Sequence, residues 1–163
     1  MNRRAAGIGL GVAVLAADQA SKYAVLHPLG LTDGHFLVLL PVLNFVLVWN
    51  HGVTFGMFQN AGGLGFIALA GVALAVITAL IVWLWNTRYL TTTLAIGAIT
   101  GGATGNVLDR LRYGAVVDFI QAHIGPYSWY VFNVGDAAIV CGVGVLMAES
   151  LLRGNATGDR KAP

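Results

Sequence analysis

The chain has 163 residues, of which 57% are hydrophobic and only 10% charged, with a formal net charge of +2. A soluble domain carries about a quarter charged residues, so a mean hydropathy of +0.76 excludes both a water-covered globule and a disordered chain. Nine Lys and Arg scattered along the sequence make no basic stripe, which argues against a nucleic-acid partner. The class that remains is an all-α polytopic membrane protein.

A membrane-spanning helix needs about 20 largely apolar residues. The first candidate span, 5–26, follows Arg3 and Arg4 and is interrupted by Asp18 and Lys22. Its beginning has the outline of a secretory signal, but the apolar run continues with helical period through polar residues and shows no clear cleavage site. After it comes an external segment, 27–61. There Pro41 and the β-branched and aromatic run Phe45–Trp49 suggest short strands at the membrane interface, with Trp49 and Phe58 among the headgroups. The second span, 62–85, contains no charge at all.

A tight turn at Arg88 leads to the third span, 89–108, where Gly97, Gly101 and Gly105 recur every four residues as a face for close helix packing. A second external segment, 109–129, carries Arg110 and Arg112. The fourth span, 130–152, contains Asp136 near its start, the single Cys141 as a small packing residue, and Glu149 near its end. Glu149 lies four residues before Arg153 and reads as an i,i+4 pair. No Lys or Arg occurs between Tyr23 and Thr87, whereas Arg3, Arg4, Arg88, Arg153, Arg160 and Lys161 flank the spans elsewhere. That asymmetry predicts both termini, including the tail 153–163, in the cytoplasm. The expected architecture is a single domain over 1–163: a four-helix bundle with a small external β-like cradle.

The costly polar residues converge by depth. Asp18 and Lys22 share a helix face, as do Asn133 and Asp136. Asn106, Asp109 and Arg110 end the third span on the same outer side, Asn50 ends the strand-like segment, and Asp118 sits in the loop between the third and fourth spans. Four of the seven acidic residues, Asp18, Asp109, Asp118 and Asp136, therefore gather at one membrane face. There is no zinc-binding His-Glu-x-x-His, and the four His are dispersed, so no metal and no cofactor are expected. Ser21 beside Lys22 points away from it on a helix, which disfavours a Ser-Lys dyad.

Two carboxylates held close share a proton, so one activates water while the other protonates a carbonyl. Asp118 and Asp136 are the best such pair. The alternative is that these Asp cap helices or pair with Arg110 and Lys22, and spacing alone leaves both readings open. A small proton- or ion-coupled transporter is the rival from another class, since intramembrane carboxylates suit it as well.

Four blocks in order then carry a resemblance. They are Asp18-Gln19-Ala20-Ser21-Lys22, Asn50-His51-Gly52-Val53-Thr54-Phe55-Gly56, Gly101 to Arg110 running on to Val116-Val117-Asp118-Phe119, and Phe132-Asn133-Val134-Gly135-Asp136. Together the blocks resemble the bacterial lipoprotein signal peptidases, the signal peptidase II family. The resemblance implies an intramembrane aspartyl endopeptidase in the inner membrane. Such an enzyme cuts lipidated prolipoproteins just before the diacylglyceryl cysteine. It maps the catalytic pair onto Asp118 and Asp136. Substrate-binding or supporting roles fall to Asp18, Lys22, Asn50, Gly52, Asn106, Asp109, Arg110 and Asn133. It implies contact with membrane lipid and a mobile loop near 51–58, and a monomer is the default expectation. Val53, Thr54 and Gly135 depart from the usual alanines of the family, which predicts an altered loop fit with catalysis kept.

Overall fold

The computed structural model describes residues 2–32, 36–52 and 62–158. His35, positions 53–58 of the expected mobile loop, with Val53, Thr54 and Phe58, and the tail residues Arg160 and Lys161 lie outside the described residues. Four long helices are present: α1 (Arg3–Leu26), α2 (Gly62–Asn86), α3 (Leu90–Tyr113) and α4 (Val134–Gly158). Strands β1 (Phe36–Leu40), β2 (Leu43–Asn50), β3 (Val116–Ile124) and β4 (Tyr127–Ser128) form one antiparallel sheet in that order. The strand-like reading of Phe45–Trp49 holds, and Pro41 falls in the turn between β1 and β2.

Two stretches, Leu69–Asn86 and Val134–Arg153, are long and apolar enough to cross a membrane. Asp18 and Lys22 keep α1 below that mark, and Thr, Gly and Asn106 do the same for α3. Those polar groups are turned inward, so the burial pattern is the reverse of a soluble domain. Asp18, Lys22, Asn106 and Asp109 are buried, while Ile8, Val12, Val72, Val82, Val140 and Met147 are exposed.

Four boundaries differ from the sequence expectation, one of them the end of α4, which runs to Gly158 and takes in the first residues of the expected tail. α3 continues past Leu108 to Tyr113, so Asp109, Arg110 and Arg112 are helical, with both arginines in a last turn where the helix dipole favours cations. Gly114 then ends the helix in the left-handed region, at φ 73° with its N–H on the Arg110 carbonyl, and lets the chain turn directly into β3. Asp118 is consequently a strand residue opposite Val48, not a loop residue. α4 begins at Val134 because the preceding stretch is extended and Phe132 pairs with Ile120. Cys141, expected to be a small packing residue, is exposed on α4.

Close helix approach depends on glycine. A Cβ at Gly97 would sit 2.1 Å from the Gly7 carbonyl oxygen, and one at Gly101 would sit 2.3 Å from that of Gly11. Gly7 and Gly11 are thus the opposing half of the face that Gly97 and Gly101 predicted. At Gly105 the space is filled by the Asp18 carboxylate, 2.2 Å from where a Cβ would stand. Gly101→Ala is therefore expected to destabilise by at least about 2 kcal/mol. Gly144→Ala, with nothing within 4 Å of its Cβ position, serves as the neutral control. Thermal melting of the two variants in detergent checks this, and equal midpoints would contradict it.

Candidate active site

Three connections build the site at the sheet end of the bundle. Gly114 sends the chain straight from α3 into β3. The Ile120–Phe132 pairing, with the Ile120 N–H donating to the Phe132 carbonyl at 2.8 Å, brings the start of α4 beside β3. Asn133 then caps α4. Its side-chain oxygen accepts the Asp136 N–H at 2.8 Å, and its own N–H donates to Asp136 Oδ2 at 3.2 Å. This is a reciprocal cap that places a carboxylate in the helix's first turn. The remaining amide of Asn133 donates to Asp118 Oδ1 at 2.7 Å and to Asn106 Oδ1 at 3.2 Å. One asparagine thus touches both members of the expected pair.

Asp118 is 2% exposed. Its other oxygen accepts from Asn50 Nδ2 at 3.0 Å, and no cation lies in ion-pair range of it among the described residues. Burial raises its pKa to about 6, and nearby Asp136 pushes in the same direction. The amides of Asn50 and Asn133, and the more distant Lys22, oppose the shift without cancelling it. Asp136 is partly exposed and accepts from Asn106 Nδ2 at 2.8 Å. The pair is therefore one buried carboxyl whose pKa is raised to about 6 and a second carboxyl group more open to its surroundings.

The other polar residues form a layer behind this pair. Lys22 Nζ lies 2.8 Å from Asp18 Oδ2, 2.8 Å from Asp109 Oδ2 and 3.0 Å from Asn106 Oδ1. Asp18 also accepts the Gly135 N–H at 2.8 Å, and Asp109 accepts the Val117 N–H at 3.1 Å. Gln19 donates to Asp109 Oδ1 at 2.9 Å; only its place beside Asp18 in the first motif hinted at it, and helical spacing gave no signal.

The two readings left open by spacing separate by residue. Asp18 and Asp109 pair with Lys22, Asp136 caps α4, and Asp118 does neither. Arg110 also differs from one expectation, for among the described residues it meets no carboxylate within ion-pair distance. It donates instead to the Asn106 and Gly52 carbonyls, each at 3.3 Å. Gly52 donates its N–H to Asn50 Oδ1 at 3.1 Å, so Arg110 and Asn50 together hold the end of the β2 segment over the site. The Ser21 hydroxyl bonds the Asp18 carbonyl at 2.8 Å. Glu149 and Arg153 pair as expected, and Glu149 also accepts from Thr92 at 2.6 Å. Gly135 leaves a Cβ position 3.0 Å from the Gly102 carbonyl oxygen and 3.1 Å from Asp18 Oδ1. Its small size accompanies a close α3–α4 approach.

Comparison with known proteins bears on this arrangement. The sequence profile described as signal peptidase (SPase) II matches residues 10–152. A lipoprotein signal peptidase of Methylorubrum extorquens (strain PA1) is 49% identical over 140 residues, covering 86% of this chain and 82% of the relative. Another, from Methylobacterium sp. (strain 4-46), is 43% identical over 145 residues, covering 89% and 88%. Among solved structures, a bacterial membrane enzyme determined by the in meso method at 2.3 Å resolution superposes with a TM-score of 0.81 at 26% identity, over 96% of this chain and 93% of the other. A second, at 1.9 Å resolution, gives 0.77 at 28% identity, over 89% and 92%. The match runs from the α1 motif through the α4 cap, and the chain belongs to the signal peptidase II family.

Proposed function

We propose that this protein is a membrane-embedded aspartyl endopeptidase that removes the signal peptide from diacylglyceryl-modified prolipoproteins, cutting just before the lipidated cysteine. The observation that carries the reading is the Asp118–Asn133–Asp136 arrangement. It pairs a buried carboxyl of raised pKa with a second carboxylate through one asparagine. Family membership and the relatives' name supply the substrate class.

One proton is shared by the pair at working pH. The ionised carboxylate takes a proton from water as its oxygen attacks the scissile carbonyl carbon, and the protonated carboxyl gives its proton to the carbonyl oxygen. The resulting gem-diol collapses as the C–N bond breaks. The first Asp then delivers the water's proton to the departing cysteine nitrogen, and a diol proton returns to the second Asp. No bond forms between enzyme and substrate. Asn50 and Asn133 orient Asp118, Asn106 and Asn133 orient Asp136, and Arg110 lines the approach where a substrate backbone carbonyl would lie.

The apolar outer surface suits a lipid surround, which supports the expected four spans in a bacterial cytoplasmic membrane with both termini inside. The sheet end, with the site, then faces outward at the interface. A diacylglyceryl anchor remains in the bilayer while the peptide bond reaches water at the carboxyl pair.

Asp118→Asn and Asp136→Asn are each expected to lower kcat by more than about 10³-fold, with helical content and melting retained. Cleavage of a lipidated precursor peptide by a folded variant at a near-normal rate would remove the pair. The pH profile is a second check. Asp118 must keep its proton, so kcat/KM should fall as pH rises through about 6. The Asn50 amide stabilises the ionised form, so Asn50→Ala should move that limb to higher pH. A limb that stays in place or moves to lower pH would contradict the assignment.

A further inference from the structure

The end of the bundle opposite the carboxyl pair carries a second constellation that the peptidase reading does not use. Arg4 precedes Lys22 by 18 residues of continuous helix, about 27 Å along α1 at 1.5 Å per residue. There the N-terminus of α1 meets the α2–α3 turn around a cavity of about 520 Å³, lined by Arg3, Arg4 and Arg88 together with Trp85, Asn86 and Thr87. No carboxylate is among its described lining residues. Arg3 donates to the Arg88 carbonyl and Arg4 to the Trp85 carbonyl at 2.8 Å, while the Arg4 guanidinium lies 5.0 Å from the Trp85 ring centroid. Neutral carbonyls and a π-face hold these guanidiniums in place, and among the described residues no carboxylate lies in ion-pair range of them. Arg153 nearby is different, because Glu149 neutralises it.

Trp85 also lines a second cavity, an apolar groove of about 300 Å³ bounded by Ile8, Val12 and Leu15 of α1 and Ile77 and Ile81 of α2. α1 packs closely on α3, and α2 on α3, but α1 and α2 meet only sparingly, so the groove runs between them away from the arginines. A basic pocket and an apolar groove that share a tryptophan wall have the polarity of a phospholipid: a phosphate at one end and a hydrocarbon chain at the other.

We propose that this end of the protein binds one anionic phospholipid, its headgroup phosphate among Arg3, Arg4 and Arg88 and one acyl chain in the groove between α1 and α2. The inference rests on the membrane reading above but not on the catalytic assignment. Guanidinium groups suit phosphate through paired N–H donors, and three clustered arginines at the expected inner leaflet attract anionic headgroups. A second copy of this chain is a poor occupant, since it would bring the same arginines to the same place. The bound chain would fill the space that α1 and α2 leave and so tie the two helices together.

Thermal unfolding in detergent tests this, with phosphatidylglycerol, phosphatidylcholine of identical acyl chains, or inorganic phosphate added at matched concentration. Phosphatidylglycerol is expected to raise the midpoint by about 5 °C or more above phosphatidylcholine at saturation, and inorganic phosphate to leave it unchanged. Arg88→Gln keeps the backbone carbonyl held by Arg3, and Val12→Trp fills the groove from a position 60% exposed, so neither dismantles the helix packing. Each should lose most of the phosphatidylglycerol increment. Equal stabilisation by the two lipids would overturn the proposal. So would an equal effect of inorganic phosphate, which would mark a free-anion site, or an increment intact in both variants. The readout is melting, so loss of the lipid effect leaves the peptidase reading standing, and inactivity of the wild type toward precursors leaves this result standing.

Discussion

A buried ammonium group organises this protein. Lys22 is 2% exposed, which is tolerable only because Asp18, Asp109 and Asn106 surround it with acceptors. Two carboxylates on one ammonium leave a net negative charge, and the N–H groups of Gly135 and Val117 and the Gln19 amide offset it. The cluster therefore joins α1, α3, β3 and the start of α4. Losing one partner of such a set costs about 3–5 kcal/mol, and here it would also release the elements that carry the carboxyl pair. Lys22 fixes the site without touching the reacting groups.

The same cluster sets orientation further out. With its oxygen held by Lys22 and Asn133, Asn106 must present its NH₂ group to Asp136. Asn133, whose oxygen is committed to the cap of α4, must present its NH₂ group to Asp118. A polar relay thus runs from the ammonium to the two carboxylates, with each amide direction dictated by the previous contact. Asp118 ends the relay; burial and then nearby Asp136 raise its pKa, and the neutral amides of Asn50 and Asn133 offset only part of that. Had Lys22 reached it directly, an ion pair would hold the carboxyl in its charged form and work against the raised pKa.

Much of this was legible in the sequence. The four helices, the strand-forming run Phe45–Trp49 and the convergence of Asp18, Asp109, Asp118 and Asp136 follow from hydropathy, β-propensity and depth, which are local signals. Gly97, Gly101 and Gly105 announced a close-packed face, but Gly7 and Gly11 could not be matched to it, since only helix pairing reveals the partner. What escaped was set by tertiary pairing. β3 forms at Asp118 because β2 lies beside it, and α4 starts late because Phe132 bonds Ile120. Spacing also could not decide between capping and catalysis for Asp136. The carboxylate that caps α4 is the one that faces Asp118 through Asn133, so a single geometry serves both.

The central claim is that Asp118 and Asp136 activate water directly, without a bond between enzyme and substrate. The most direct measurement is a single turnover in H₂¹⁸O, with enzyme in excess over a diacylglyceryl-modified precursor peptide, both products and the enzyme being weighed by mass spectrometry. The account predicts a cut just before the lipidated cysteine, one ¹⁸O in the new carboxyl group of the released signal peptide, and no label in the protein. A product without label, or ¹⁸O found in an Asp side chain, would mean a covalent intermediate and would contradict it.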